Sequence, residues 1–405
     1  MNRALFAGLS GTAAFQSRLD VVGHNIANAN TIGYKQGRTT FQDALYETLD
    51  GGRAGSESGL GGANPIQVGS GVTLGGVAIQ HTQGSLERTG QPLDCAIEGA
   101  GMFVLSDGQG TFFSRDGAFA LDDTNTLVAG TSGCRVMGWM ASGGSVSTTG
   151  PVRELSFEMG ELAPPTPTGN AVVHGNLNSG ATVGDTVSTT IGVYDSLGEL
   201  HEVALALTST AAGAWQCTAA CEGSTATGTL GFGPTGALTS GGTLNLSVAL
   251  TGGAATPQAV AIDLSSITSL AESSSVVVDS QDGSPPAALV SVEMGDGGIV
   301  EGYYSDGRTR PLAQIAMASF ANPGGLRRAG GNLYVEAPAS GAAAVGPADS
   351  GGRGSVVAGR LEMSNVDLTR AFVDMITTQR GFQASTRVIA TANEMLDDVV
   401  RLIRT

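Results

Sequence analysis

The sequence predicts a multidomain protein whose terminal α-helices form a coiled coil and whose inner and outer domains, between the helices, are mainly β. Three observations carry this prediction. Proline is absent from residues 1–49 and 360–405, and 56 of the 62 glycines lie between these two segments. Both proline-free ends repeat apolar residues every seven positions, which is typical of coiled-coil helices. Between them, short apolar runs bounded by glycine indicate strands joined by turns.

The first element is a helix predicted over about residues 3–28. Its self-assembly residues follow the coiled-coil period and are Leu5, Phe15, Leu19, Val22 and Ile26. We expect the helix to end at the segment that begins with Asn28 and includes Gly33, since asparagine and glycine favour the turn that follows a helix. We expect both of these residues to take part in assembly as well.

The last element is a longer helix predicted over about residues 366–404. Ser364, followed by Asp367, predicts a capping box at its start. Its self-assembly residues form two interleaved heptad series, Leu368, Met375, Phe382, Ile389, Leu396 and Ile403 with Phe372, Gln379, Asn393 and Val400. Gly381, in the middle, predicts a kink or a close helix contact. Because two helices at opposite ends of a chain cannot close a core alone, we expect their remaining apolar residues to meet other copies.

The segment between the helices divides at glycine-rich and proline-containing stretches. Residues 50–64 contain six glycines and predict a flexible linker. The Asp107-Gly108 pair predicts a hairpin over 101–115, and residues 195–198 predict a second hairpin between strands at 187–194 and 200–207. We therefore expect a helical inner polymerisation domain with its linker (1–64 and 359–405), an inner β domain (65–150 and 286–358) and an outer β domain (151–285).

Composition excludes several classes of protein. Acidic residues outnumber basic ones 36 to 20, giving a net charge of −16, whereas nucleic-acid binding needs clustered Lys and Arg. No apolar stretch is long enough to predict membrane insertion, and residues 1–30 do not resemble a secretory signal peptide. The four cysteines are too scattered for a disulfide framework and predict free thiols. Between Arg153 and Arg308 there are sixteen Asp and Glu residues and no Lys or Arg, which favours an exposed acidic outer domain.

Catalytic motifs are missing from the sequence. The single lysine, Lys35, does not lie in a phosphate-binding loop, and no serine has the spacing of a nucleophile elbow. His201-Glu202 begins like a zinc-binding motif, but the second histidine is absent because position 205 is leucine. We therefore predict that the protein is not an enzyme and has no catalytic, cofactor-binding or metal-binding residues.

Several stretches resemble one known family. Residues 25–35 (NIANANTIGYK) resemble the N-terminal signature of the axial proteins of the bacterial flagellum, the rod and hook family, and residues 364–369 (SNVDLT) with 375–383 (MITTQRGFQ) resemble its C-terminal motif. Residues 94–103 and 114–119 are similar to the family's next domain. Residues 193–198 (VYDSLG) with His201, and residues 302–322, resemble the hook members of that family.

The resemblance implies a structural subunit that self-assembles into the flagellar hook, a flexible tube that transmits motor torque to the filament. It implies a homopolymer that contacts the distal rod, the hook cap, the hook-filament junction proteins and the flagellar export apparatus. It also implies an extracellular location in the flagellum, reached through type III export without a cleaved signal peptide. A distal rod subunit of the basal body and a secreted adhesin on an axial scaffold remain the alternatives.

Overall fold

The computed structural model of the chain describes residues 2–53, 62–160, 162–250, 252 and 254–403. It confirms the predicted class, because two terminal helices pack together and the chain between them is mostly β. Two compact units are present, one comprising 1–157, 292–301 and 311–405 and the other 158–291 and 302–310. The predicted division into three domains stays a prediction. Among the described residues, neither helix combines the length and apolarity needed to cross a lipid bilayer.

The helices agree with the sequence periodicity to within two residues. The first, α1, covers Asn2–Ala27, and the second, α2, covers Leu368–Ile403. The predicted Ser364 cap is wrong. The carboxylate of Asp367 accepts a hydrogen bond from the Arg370 amide at 3.1 Å, whereas the Ser364 hydroxyl accepts from the Val366 amide, before the helix begins. An aspartate directly before the first helical residue therefore serves as the N-cap.

The strands are numbered in chain order. Those before residue 155 are β1 (Gly37–Asp43), β2 (Tyr46–Asp50), β3 (Ile66–Gly69), β4 (Val72–Ile79), β5 (Leu86–Arg88), β6 (Cys95–Glu98), β7 (Met102–Ser106), β8 (Thr111–Ser114), β9 (Phe119–Leu121), β10 (Leu127–Ala129), β11 (Arg135–Ser142), β12 (Ser145–Val146) and β13 (Arg153–Glu154). Those from 162 to 294 are β14 (Leu162–Ala163), β15 (Asn170–Asn178), β16 (Thr186–Tyr194), β17 (Leu200–Ala211), β18 (Ala214–Cys221), β19 (Ser224–Phe232), β20 (Leu238–Ser240), β21 (Thr243–Val248), β22 (Gln258–Leu270), β23 (Ser275–Gln281) and β24 (Ala287–Met294). The remaining strands are β25 (Ile299–Tyr304), β26 (Thr309–Ile315), β27 (Met317–Ser319), β28 (Arg327–Gly330), β29 (Leu333–Val335), β30 (Ala344–Gly346), β31 (Ser355–Ala358) and β32 (Arg360–Glu362).

The first unit is built around the β7–β8 hairpin, which confirms the turn predicted at Asp107-Gly108. Strand β7 pairs with β11 and β27, and β8 pairs with β29. One apolar core lies between these strands, and its buried residues are Met102, Val104, Phe113, Trp139, Ala316, Ala318, Leu326 and Tyr334. Two further pairs, β5 with β32 and β6 with β31, join the chain before α2 to this unit.

The second unit contains two sheets around one core. Strands β16 to β20 form an antiparallel sheet in chain order, and the hairpin predicted at 187–207 is its first pair, with Tyr194 opposite Leu200. The other sheet has the order β21-β22-β15-β23, in which β15 and β22 are parallel. Buried and exposed residues alternate along β17. The alternate, buried side chains of both sheets, Trp215 among them, share the core.

The glycine-rich segment 50–64 differs from the expected linker. Its described flanks pair with each other, since Asp50 lies opposite Ile66 and Arg53 bridges to Ala63. These flanks extend the antiparallel pairing of β2 with β3. Residues 54–61, on which the rest of that prediction falls, lie outside the described residues.

Candidate assembly surface of the terminal helices

The two terminal helices are antiparallel neighbours. Near one end, Arg18 donates to Asp374 at 3.2 Å. Closer to the N-terminus of α1, Phe15 lies against Gly381, and Gly8 lies against Ile389. In that order the contacts run backward along α1 and forward along α2. The two terminal helices therefore pair within one chain, and Phe15 and Ile389 of the predicted residues take part in this contact.

Glycines make close contacts between the helices, and both helices carry small residues at buried positions. On α1 these are Gly8, Gly11 and Ala14, and on α2 they are Ala371, Thr378, Ser385 and Ala392, spaced by seven; all except the half-buried Ser385 are buried. A Cβ atom at Gly11 would lie 2.9 Å from the Ser385 hydroxyl oxygen, and one at Gly381 would lie 2.6 Å from the Phe15 ring. The interaxial distance depends on side-chain size. The contact at Gly381 confirms the close-contact alternative predicted there.

The predicted self-assembly residues divide between this contact and the surface. On α1 and the following turn, Val22 and Gly33 are buried, while the half-buried ones are Leu5, Phe15, Leu19, Ile26 and Asn28. On α2, the half-buried ones are Met375, Ile389 and Leu396, and the exposed ones are Leu368, Phe372, Gln379, Phe382, Asn393 and Val400. Ile403 is the last residue of α2, and its side chain lies outside the described residues.

A second set of exposed apolar residues was missed by the sequence analysis. On α1 it comprises Phe6 and Leu9, and on α2 it comprises Val373, Ile376, Val388, Met395, Val399 and Leu402. Val388, Met395 and Leu402 recur every seven residues, so a search for a second heptad series would have found them. We call the exposed large apolar residues of both helices, from both sets, the apolar helix surface.

The N-terminal signature sequence fixes the chain after α1. The Asn25 side chain accepts from the Gly37 amide at 2.9 Å and from the Tyr34 hydroxyl at 3.0 Å, and donates to the Gly37 carbonyl at 2.8 Å. Gly33 has φ +67°, and a Cβ atom there would lie 2.7 Å from the Asp116 nitrogen. Only glycine meets both conditions easily, which accounts for its place in the motif.

The C-terminal signature sequence is tied to the same region. The Asn365 side-chain oxygen accepts from the Gln36 amide at 2.8 Å, and its nitrogen donates to the carbonyls of Gln80 and Thr82. The Gly33 amide donates to the Glu362 carbonyl at 2.7 Å. The segments that leave α1 and enter α2 are therefore joined to each other by hydrogen bonds.

A buried ion network lies at this junction, which we call the helix-base network. Lys35 donates to one carboxylate oxygen of Glu362, and Arg115 donates to the other at 3.2 Å. Lys35 and Glu362 have no exposed side-chain surface. Burial lowers the pKa of Lys35, and the Glu362 charge opposes that shift. A buried pair of this kind needs all its hydrogen-bond partners, and here Thr82 and Gly84 complete it.

One group of potential metal ligands occurs among the described residues. Asp195, Glu199 and His201 place ligand atoms within 4.8 Å of one another. However, both ring nitrogens of His201 already face carboxylates, Glu222 at 2.7 Å and Asp195 at 3.4 Å. Burial lowers the pKa of His201, but these two carboxylates more than offset it, so that the net shift is upward. The His201 ring therefore joins the segments that carry Asp195 and Glu222 through its two nitrogens.

The chain was compared with known proteins. The family described as flagella basal body rod protein matches residues 5–35, the flagellar basal body protein FlaE D2 domain matches 171–284, and the flagellar basal body rod FlgEFG protein C-terminal family matches 357–402. The flagellar hook protein FlgE of Treponema pallidum is 35% identical over the whole of both chains. That of Borreliella burgdorferi is 36% identical over 99% of this chain and its own full length. The crystal structure of Helicobacter pylori flagellar hook protein FlgE2 shares the fold, with a TM-score of 0.50 at 15% identity over 67% of this chain and 98% of its own.

Proposed function

The chain belongs to the flagellar hook protein family and is a structural subunit of the bacterial flagellar hook, and from this premise we propose that its apolar helix surface binds neighbouring copies in the hook wall. The observation that supports this proposal is that buried small residues and exposed large apolar residues occupy different positions on the helices. Small residues make the contact within the chain, while large apolar residues remain exposed: Phe6 is 63% exposed and Phe372 is 51% exposed. Exposed apolar surface of this extent marks an interaction site.

The energy available from this surface fits assembly into a polymer. Full burial of a large apolar side chain contributes about 1.5–3 kcal/mol, so a half-exposed Phe372 or Ile376 would contribute about 1 kcal/mol on docking. One such contact cannot offset the roughly 4–15 kcal/mol lost on association. Many residues along two helices can, which favours a lateral contact along their length over a point contact.

We extend the proposal to location and partners. A hook subunit would lie outside the cell in the flagellum and would contact the distal rod, the hook cap, the hook-filament junction proteins and the export apparatus. It would leave through type III export without a cleaved signal peptide. Family membership supports these statements. The distal rod alternative is not favoured, because the full-length relatives at 35–36% identity are hook proteins. The family is structural, which agrees with the absence of catalytic motifs from the sequence.

The experiment compares Phe372→Ser and the double variant Phe372→Ser/Ile376→Ser with Val183→Ser. Val183 is an exposed apolar residue of the second unit, outside the helices, and serves as the control. Sedimentation of polymers gives the critical concentration. We expect an increase of about fivefold for the single variant and about thirtyfold for the double variant, since 1.4 kcal/mol is tenfold.

Because both helix positions are exposed in the free chain, the variants should fold, and circular dichroism of the monomer checks this. A critical concentration of Phe372→Ser/Ile376→Ser equal to that of the wild type would show that this surface does not take part in assembly. An equal increase for Val183→Ser would point to a general loss of apolar surface instead.

A further inference from the structure

A cavity of about 460 Å³ lies in the first unit, away from the apolar helix surface. Its polar side chains are His81, Gln83, Arg115 and Ser319, and Phe320 and Met102 supply part of its apolar lining. Both loops around it are rich in glycine, which leaves space for an occupant. No step of the proposed assembly uses this cavity.

His81 is the unusual residue of this cavity. Both ring nitrogens are buried, and neither makes a hydrogen bond of ordinary geometry within the described part of the chain; the Pro323 carbonyl is the backbone acceptor that opposes the lowering of the His81 pKa. Arg115, 4% exposed, likewise has an unpartnered Nε, although its terminal nitrogens donate to Glu362, Ile97 and Gly99. Buried polar atoms without partners are costly and rare.

Charge near His81 is unbalanced. The positive charges of Lys35, Arg115 and Arg328 all lower the pKa of the His81 ring. A single carboxylate, that of Glu362, pairs with both Lys35 and Arg115. Arg328 donates to the Lys35 carbonyl and lies over the Tyr34 ring, 5.0 Å from its centroid. Burial and these three cations lower the pKa of His81 to about 4. An excess of positive charge at a partly enclosed cavity attracts an anion.

We propose that this cavity binds a carboxylate, which accepts hydrogen bonds from the ring of His81 and balances the excess positive charge around Arg115. Once a carboxylate is present, the protonated ring has two acceptors, the ligand and the Pro323 carbonyl. The source of the carboxylate is either an acidic side chain of a second copy or a free small carboxylate. The chain carries 36 Asp and Glu residues against 20 Lys and Arg, so assembly would bring many carboxylates near this cavity.

The test uses ring-nitrogen NMR of the full chain, which has only four histidines. At pH 6 the monomer is titrated with sodium acetate, with sodium chloride of equal ionic strength as the control. We expect a saturable change of the His81 signals from neutral imidazole toward imidazolium, each unit of pKa increase raising the protonated-to-neutral ratio tenfold. The exposed His24 and His174 report non-specific effects, and His81→Gln assigns the signals.

A second measurement separates the two sources. Solid-state NMR of acetate-free polymers should show His81 as imidazolium if a second copy supplies the carboxylate, and as neutral imidazole if only free carboxylate binds. A response to acetate alone, to assembly alone or to both supports the site. No response to either would mean that water alone satisfies His81, and the proposal would then be wrong. The acetate measurement on the monomer does not depend on assembly, so its failure is separate from failure of the proposed function.

Discussion

Replacing Lys35 with methionine should destabilise the first unit by about 3 kcal/mol. The lysine and Glu362 are fully buried, and the lysine nitrogen also donates to the Thr82 carbonyl at 2.8 Å. Methionine retains the length of the side chain but removes the charge. Loss of one partner from a buried ion pair costs about 3–5 kcal/mol, because the other charge stays buried. The lower end applies here, since Arg115 at 3.2 Å and the Gly84 amide at 2.9 Å still contact Glu362.

The chain offers a matched control in the same unit. Arg135 and Glu154 form an ion pair at 2.7 Å, but their side chains are 49% and 39% exposed. An exposed pair contributes about 0–1 kcal/mol, because water already solvates both charges and salt screens them. Arg135→Met, like Lys35→Met, removes a positive charge that lies within hydrogen-bond distance of a glutamate carboxylate. The difference between the two variants therefore measures the effect of burial.

Urea unfolding followed by tryptophan fluorescence measures both variants. Trp139 lies in the core of the first unit and Trp215 in that of the second, so a Trp215→Phe background reports the first unit alone. With an m value of about 2 kcal/mol/M, Lys35→Met should lower the midpoint by about 1.5 M and Arg135→Met by at most about 0.5 M. Equal shifts for the two variants would refute the claim that the helix-base network is a stabilising buried pair.

Three further predictions concern other parts of the molecule. Gly11→Val should weaken helix pairing, because the added Cβ would lie 2.9 Å from the Ser385 hydroxyl oxygen. Gly23→Ala should instead stabilise α1 by about 0.5–1 kcal/mol, because a Cβ there has no atom within 4 Å. Thermal unfolding followed by circular dichroism compares the two variants. Because the pKa of His201 is shifted upward in the folded state, the histidine contributes its full stabilisation below pH 6.5 and loses it as the pH rises through the folded-state pKa. The free energies of unfolding of the wild type and His201→Gln, monitored at Trp215, should therefore converge at high pH. Burial raises the pKa of Cys217 to about 11, so a thiol reagent at pH 8 should label it only after the second unit unfolds.

Features set by local sequence were predictable. Helix ends followed from periodicity and proline, and the two hairpins followed from Asp-Gly and Asp-Ser-Leu-Gly turns flanked by apolar runs. The Ser364 cap failed because a capping pattern does not decide between neighbouring Ser and Asp residues. Asn365, between them, is hydrogen-bonded to the Gln36 amide and the Gln80 carbonyl, and the helix begins after it, at Leu368.

Features set by long-range contact were not predictable from one sequence. The small buried residues on α1 and α2 were not predicted, because a heptad pattern is recognised by its large apolar residues. Gly8 and Gly11 have no side chain and approach α2 through their backbone. The helix-base network joins Lys35 to Glu362, 327 positions apart. Lys35 is the only lysine in the chain, but nothing around it in the sequence indicates that it is buried.

The helix-base network and the small-residue contact together account for how exposed helices keep a fixed position. A contact in which glycine takes one of the facing positions buries less apolar area than a leucine-rich coiled coil, so it contributes less to stability. Most helical stability comes from packing. The hydrogen bonds of Asn25 and Asn365 and the buried Lys35–Glu362 pair fix the point where α1 ends and α2 begins. From that base both helices extend toward their most exposed residues, including Leu402 at 75%. The hydrogen bonds and the buried ion pair at the base, together with the close glycine contacts between the helices, fix their position while large apolar side chains such as Phe6 and Phe372 stay exposed.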